Sequence, residues 1–149
     1  MKKPIIQDTP PQGFDPKDVF EDILKNIRHV LAKYEKIVLF AYLFGSTAHV
    51  KGVRRSGDID IAVFLVSGSR EAHFEAKLAL YADLCRALQR NDVDLVILNA
   101  ATNLVLLDEI VRKGIVLCDR QPDERTDFEL RVLHRAHDFK EHRLAVMGV

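Results

Sequence analysis

Short, uninterrupted runs of apolar residues alternate along this chain with longer segments in which apolar residues recur every three or four positions. The short runs are typical of buried strands, and they cover residues 37–44, 58–65, 93–98 and 115–118. Helical spacing predicts helices from residue 16 onward, over 71–89, over 102–113 and from residue 122 onward. The short link between the first two strands allows them to pair antiparallel. The predicted fold class is therefore α/β, with a small mixed β-sheet flanked by helices.

Residues that favour helix ends stand at the predicted boundaries. Asp15 is expected to cap the first helix, with Pro16 in its first turn. Thr102 is expected to cap the helix that Gly114 ends. A single helical turn is predicted at about residues 46–51, followed by a loop up to Gly57.

Three helices have an apolar face that we expect to pack in the core, although the faces of the first and last helices could instead bind a partner protein. In the first helix it comprises Val19, Phe20, Ile23, Ile27, Val30 and Leu31. In the helix over 71–89 it comprises Phe74, Leu78, Tyr81, Ala82, Cys85 and Leu88. In the last helix it comprises Phe128, Val132, Leu133, Ala136 and Phe139.

The composition is that of one globular domain: 149 residues, of which 48% are hydrophobic and 30% charged. Residues 1–14, rich in proline, are expected to form a flexible arm, and residues 15–149 a single domain. The formal net charge is zero, so bulk charge predicts no direct binding of nucleic acid. No apolar segment approaches the roughly 20 residues that cross a bilayer, and we expect a cytoplasmic protein with Cys85 and Cys118 reduced.

Two pairs of aspartates, each separated by one residue, stand at the beginnings of predicted strands: Asp58 with Asp60, and Asp92 with Asp94. With 14 aspartates in the chain, about one such pair is expected by chance, so the spacing alone identifies no site. The context of the first pair is more informative, because aspartate is unfavourable in strands and both residues alternate with isoleucines. This alternation puts both carboxylates on one face of the strand. There they repel each other unless a cation or water lies between them.

A glycine-serine turn precedes the first aspartate pair. The apolar run 37–44 ends at Gly45 and Ser46, and the backbone N–H groups of such a turn can bind phosphate. If the third strand lies beside the second, Asp94 joins the first pair, and three carboxylates make a site for two Mg²⁺ ions. One ion would hold a triphosphate, and the other would lower the pKa of an attacking hydroxyl whose proton passes to Asp94. The combination suggests an enzyme that transfers a nucleotide.

Structural interpretations of the same residues are also open. Asp58 and Asp60 could begin a strand that faces water. Asp94 could lie on an edge strand, and a glycine-serine turn is a common connection from strand to helix. Asp92 is expected at the end of its strand, in solvent.

Two further groups of polar residues are less specific. Basic residues in the predicted loop could hold phosphate or simply be solvated: Lys51, Arg54 and Arg55. Four residues of the last helix have helical spacing but no partners from a cysteine or a second helix: His134, His137, Glu141 and His142. We expect this second group to face solvent or a partner protein and to bind no metal.

The stretch LFGSTAHVKGVRRSGDIDIAVFL at 43–65, followed by DVDLVIL at 92–98, resembles the minimal nucleotidyltransferases of the DNA polymerase β-like superfamily. The segment NAATNLVLLDEIVRKGIVLCDR at 99–120 and the segment DFELRVLHRAHDFKEHR at 127–143 are similar to those of MNT-type antitoxins. The resemblance covers residues 37–143. It implies a nucleotidyltransferase fold and a partner protein, a HEPN-domain ribonuclease toxin, in a hetero-oligomer.

The resemblance also implies roles for individual residues. Gly45 and Ser46 would contact the phosphates of ATP. Asp58 and Asp60 would bind Mg²⁺, and Asp94 would be the third catalytic and metal-binding carboxylate. The chain departs from the family at one place, because eleven residues separate Ser46 from Asp58, one more than is usual.

The implied activity is Mg²⁺-dependent transfer of AMP from ATP to a tyrosine hydroxyl of the toxin, which neutralises it. A first alternative is an antitoxin that masks its toxin without catalysis. A second is an enzyme that modifies a small molecule, like the aminoglycoside nucleotidyltransferases, although those usually have an additional substrate domain. A third is an antitoxin whose toxin is unrelated to HEPN proteins.

Overall fold

The computed structural model describes residues 15–50 and 57–147. In chain order the elements are α1 (Pro16–Lys33), β1 (Val38–Phe44), α2 (Gly45–Val50), β2 (Ile59–Leu65), α3 (Arg70–Leu88), β3 (Val93–Ile97), α4 (Leu104–Lys113), β4 (Ile115–Asp119) and α5 (Pro122–Met147). The predicted elements are confirmed, with ends within a few residues of those expected. The predicted arm, 1–14, and the basic loop residues Lys51, Arg54 and Arg55 lie outside the described residues.

The four strands form one mixed sheet in the order β3-β2-β1-β4. β1 is antiparallel to both β2 and β4, and β2 is parallel to β3. The antiparallel pairing of the first two strands is as predicted, and the condition that the third strand lies beside the second is met. This order makes β3 an edge strand, with β2 between it and β1.

The strand side chains alternate between two hydrophobic cores, one on each face of the sheet. On one face, α1 and α3 cover a core to which β2 contributes Ile59, Ile61 and Val63. On the other face, α4 and α5 cover a core that contains Phe40, Phe64 and Phe128, whose rings contact one another. Burial on both faces explains why the strands appear in the sequence as unbroken apolar runs.

Helix α1 begins as expected, since the Asp15 side chain accepts a hydrogen bond of 2.9 Å from the Lys17 backbone N–H. The predicted cap of α4 was wrong. Asn103, not Thr102, occupies the cap position and accepts from the Leu106 backbone N–H at 3.2 Å. Asparagine is a stronger cap than threonine, and either residue would fit the sequence pattern.

The predicted core face of α3 was also largely wrong. Leu80 and Leu84 are its buried residues, whereas Phe74, Leu78 and Tyr81 are exposed. The helix has apolar residues on more than one side, and α1 and the sheet cover only the side with Leu80 and Leu84. In α5 the buried residues are Phe128, Val132 and Ala136 as predicted, but Phe139 is exposed.

Side-chain hydrogen bonds hold α5 and the end of β3 against the sheet. The buried Tyr42 hydroxyl donates to Glu129 on α5 at 2.6 Å, and Arg125 donates to both Glu129 and Asp119 at 2.8 Å. Beyond β3, the Asn99 side chain accepts from the Leu65 backbone N–H at 2.8 Å and donates to its carbonyl at 2.9 Å. Asn99 thus extends the contact of this segment with β2 from Val63, the last paired residue, to Leu65.

Candidate active site

The sheet places Asp60 and Asp94 next to each other. They are paired residues of the parallel strands β2 and β3, and paired residues of neighbouring strands project on the same face about 5 Å apart. Their neighbours Ile59, Ile61 and Val93 project on the opposite face, into the core under α1 and α3. The two carboxylates therefore lie on the α4 side of the sheet. Asp94 is exposed at the sheet edge, whereas Asp60 is partly buried.

The clustering of carboxylates disfavours the charged form of Asp60. Burial, followed by repulsion from the carboxylates of Asp94, Asp58 and Glu109, raises its pKa from 3.8 to about 6. All three neighbouring groups have the same charge sign as Asp60. A bound cation would reverse this balance, because it would stabilise the charged form of every carboxylate in the cluster.

Gly45 begins α2 directly beside this cluster. Its φ of +75° lies in the left-handed region that favours glycine. A Cβ atom built at this position would lie 2.1 Å from Oδ2 of Asp60. Glycine at position 45 is favoured by its backbone conformation, and any larger residue would displace the Asp60 carboxylate from its present position. Ser46, the next residue, is exposed on the same turn.

Asp58 lies in solvent just before β2, and two contacts hold the backbone around it. The buried Thr47 side chain donates a hydrogen bond of 3.2 Å to the Asp58 carbonyl. The Arg90 guanidinium donates to the Gly57 carbonyl at 2.8 Å. The strand start that carries the first aspartate is thus tied to α2 and to the α3–β3 connection.

The expectation that Asp92 is simply solvated was wrong. Arg90 donates from Nε to an Asp92 oxygen at 2.7 Å, and its second contact to Asp92 makes the ion pair bidentate. The Arg90 guanidinium lowers the pKa of the Asp92 carboxyl. Asp92 therefore orients Arg90 toward Gly57, while Asp94 faces the carboxylate cluster.

Sequence reasoning missed three residues around the site: Thr47, Arg90 and Glu109. Thr47 was detectable in principle, because a hydroxyl within a short apolar helix needs a partner. Arg90 and Glu109 carry no signal in the sequence, since they reach the site only through the packing of α3 and α4.

The chemistry of the donors suits Mg²⁺, which prefers carboxylate oxygens and is commonly bound by one or two carboxylates together with substrate phosphates. Among residues 15–50 and 57–147, however, no three His, Cys, Asp or Glu side chains are arranged to hold a metal ion. The aspartates fit a metal that a triphosphate helps to bind, and not a cage made by the protein alone. The histidines of α5 likewise form no group of three possible metal ligands within the described ranges. His137 lies 3.9 Å from Glu141, and both side chains are exposed.

The remaining expectations concern cysteines and membrane segments. Cys85 and Cys118 are free and partly buried, as predicted. No helix among the described residues has the length and apolar character needed to cross a membrane.

Several solved structures are similar to this chain. A chain of a toxin–antitoxin complex with AMP-PNP has 29% sequence identity and a TM-score of 0.61, covering 87% of this chain and 95% of that one. A second similar chain comes from the complex of tri-AMPylated Shewanella oneidensis HEPN toxin with MNT antitoxin. It has 26% identity and a TM-score of 0.58, and the match covers 90% of this chain and 97% of that one. A chain of the MntA–HepT complex has 26% identity and a TM-score of 0.57, covering 89% and 96%. No curated protein matches the chain.

The family match covers most of the described domain. Residues 25–123, from α1 to the beginning of α5, match the family described as Polymerase beta, Nucleotidyltransferase. The glycine-serine turn and all three aspartates lie within this range. The resemblance to nucleotidyltransferases and to toxin–antitoxin proteins of the MNT and HEPN type is confirmed. The chain belongs to the polymerase β nucleotidyltransferase family.

Proposed function

We propose that this protein is an antitoxin that transfers AMP from ATP to a tyrosine hydroxyl of a HEPN ribonuclease toxin in a Mg²⁺-dependent reaction. The observation that carries the proposal is the pairing of Asp60 with Asp94, directly against Gly45. Catalysis requires groups that are held in a fixed relation to the substrate. The raised pKa of Asp60 fits a group that meets its counter-charge only when substrate and cation bind.

Each of the predicted residues has a separate task. Gly45 and Ser46 form the turn against which the phosphates of ATP lie. Asp58 and Asp60 supply the carboxylates that bind the cation together with the triphosphate. Bound Mg²⁺ would neutralise phosphate charge and lower the pKa of the attacking hydroxyl.

The transfer itself is an in-line displacement. The tyrosine oxygen forms a bond to the α-phosphorus of ATP, the bond from that phosphorus to the bridging oxygen breaks, and pyrophosphate leaves. Asp94, exposed at the sheet edge, accepts the hydroxyl proton. Its position allows a bulky protein substrate to approach from solvent.

Similar structures support the nucleotide and the partner. One contains AMP-PNP in a toxin–antitoxin complex, and another contains a tri-AMPylated HEPN toxin with its MNT antitoxin. The chain covers nearly the full length of these relatives. A non-catalytic antitoxin that masks its toxin is the second candidate, favoured by the lack of a ready metal cage among the described residues.

Labelled ATP distinguishes the two candidates. With ATP radiolabelled at the α-phosphate, the wild-type protein should label its HEPN partner, and with label at the γ-phosphate it should not. Replacement of both Asp58 and Asp60 by alanine should abolish labelling. The matched control, Asp18→Ala with Asp22→Ala on the exposed side of α1, removes the same charge and should label normally. Neutralisation of the toxin by the Asp58/Asp60 variant without labelling would favour masking.

A further inference from the structure

A cavity of about 600 Å³ lies on the α4–α5 side of the sheet, away from the aspartates. Its lining comes from β2, the β3–α4 connection, α4 and α5, and it is mainly apolar: Phe64, Leu98, Ala101, Leu107, Phe128 and Val132. Phe64 is four positions along β2 from Asp60, about 13 Å at the rise of a strand. The cavity is therefore a separate feature of the same sheet face and not part of the proposed active site.

One wall of the cavity is basic. Arg131, His134 and Arg135 line it from α5, and no carboxylate residue is among the lining residues. Within the part of the chain that the structure describes, Arg131 and Arg135 form no ion pair. The chain has no net charge, so this wall is a local concentration of positive charge and not a reflection of the whole surface.

The apolar stripe of α5 continues beyond the cavity. Val132 and Ala136 are buried against the domain, and Phe139 follows at the helical spacing that keeps it on the same side. Phe139, Val146 and Met147 are nevertheless 46%, 69% and 62% exposed. An apolar stripe on this last part of the helix is thus left without cover by the described residues.

We propose that this groove, formed by the cavity and the exposed stripe of α5, binds an acidic amphipathic helix of the protein partner. The lining residues of α5 extend from Phe128 to Arg135, about two turns of helix, so the groove is long enough for more than one inserted side chain. A helix can present several apolar side chains along such a groove at positions i, i+3, i+4 and i+7. Aspartates or glutamates along its edge would face Arg131 and Arg135 and fix its orientation.

The apolar floor favours a protein over a nucleic acid, because nucleic-acid interfaces are more polar and strongly basic throughout. The inference rests on the proposed function in one respect, since it takes the HEPN toxin as the partner. It goes beyond that function in assigning a docking surface remote from the site of transfer. The partner would then be held by one surface while its tyrosine reaches the aspartates.

Binding of the HEPN partner can be measured by titration calorimetry without ATP, so that no transfer occurs. Arg131→Glu with Arg135→Glu should weaken binding roughly 10- to 100-fold, because two interfacial attractions become repulsions. Phe139→Ala, at an exposed position outside the buried cores, should weaken it roughly 3- to 10-fold, with thermal denaturation as the check that the variant is folded. The matched control is Lys25→Glu with Lys77→Glu, on the exposed sides of α1 and α3. It makes the same charge change on the other side of the sheet and should bind normally.

The failure of this inference is distinguishable from failure of the proposed function. Unchanged binding by the Arg131/Arg135 variant, with AMP transfer intact in the wild type, would overturn only the docking surface. Binding that depends on these arginines, with no AMP transfer by the wild type, would support the surface and refute the transfer. Absence of a wild-type complex with AMP transfer intact would overturn only the docking surface, and absence of both complex and transfer would overturn both.

Two other occupants give different results. If the isolated chain is a dimer that the Arg131/Arg135 variant dissociates, the groove binds a second copy and the proposal is wrong. It is equally wrong if a fluorescent single-stranded RNA binds the wild type and loses affinity in this variant while affinity for the HEPN partner is unchanged.

Discussion

Replacement of Asp60 by asparagine should stabilise the free protein at neutral pH while abolishing its activity. The Asp60 carboxyl has a pKa of about 6 in the folded protein, compared with the ordinary value of 3.8 that applies to the unfolded chain. The folded state therefore binds the proton more tightly than the unfolded state does. Below about pH 4 the group is neutral in both states and costs nothing. As the pH rises from about 4 to 6 the protein loses stability, and above pH 6 the loss is constant.

The size of the effect follows from the pKa difference. A difference of about two units corresponds to roughly 3 kcal/mol, and contact of the carboxylate with solvent reduces this to about 1–2 kcal/mol. Asparagine has nearly the same shape and cannot ionise, so Asp60→Asn should recover this amount. For a domain of this length the melting temperature should rise by about 2–8 °C at pH 7.5. At pH 4 the two proteins should melt at nearly the same temperature.

Thermal denaturation in EDTA at both pH values provides the test. The control is Asp108→Asn, because Asp108 is bonded to Arg112 at 2.8 Å and lies 3.8 Å from Lys140. Loss of these attractive contacts should lower stability at pH 7.5. If Asp60→Asn is as stable as the wild type at pH 7.5 or less stable, the carboxylate cluster does not destabilise the free protein and the prediction is wrong.

Three further substitutions test the surroundings of the site. Gly45→Ala should destabilise the protein by about 1–3 kcal/mol in urea unfolding, because alanine is strained at a positive φ. It should also lower AMP transfer by displacing the Asp60 carboxylate, and normal transfer would contradict the close approach of the two residues. Arg90→Met should cost about 1–3 kcal/mol in the same unfolding measurement, since the Gly57 carbonyl loses its donor, and unchanged stability would refute that contact. Asn99→Leu should lower the free energy of unfolding by about 1–3 kcal/mol, because the Leu65 backbone loses two hydrogen bonds. Amide exchange at Leu65 should become faster, and exchange at the wild-type rate would show that Asn99 does not extend the sheet.

The sequence was sufficient to predict the four strands and the face on which Asp58 and Asp60 lie, because both depend on local pattern. Strands buried on both faces need unbroken apolar runs, and the interruption of such runs by Asp60 and Asp94 is therefore visible. Their pairing required one further assumption, that the third strand lies beside the second. The sheet order confirms that assumption.

Features that depend on long-range packing were not predictable in the same way. Helix α3 carries two possible apolar stripes, and only the position of α1 and the sheet selects the one with Leu80 and Leu84. Arg90 could not be linked to Gly57, 33 residues earlier, without knowing that α3 ends beside the start of β2. The exposure of Phe139 also depends on packing, because the buried residues of α5 end at Ala136 whereas its apolar residues continue further along the helix.

Catalysis of AMP transfer to a tyrosine by the three aspartates is tested most directly by mass spectrometry of peptides from the HEPN partner after incubation with this protein, ATP and Mg²⁺. We predict AMP on a tyrosine with the wild type, and none after replacement of Asp58 and Asp60 by alanine or after replacement of Asp94 by asparagine. Equal modification by these variants, or an unmodified partner that the wild type nevertheless neutralises, would contradict it.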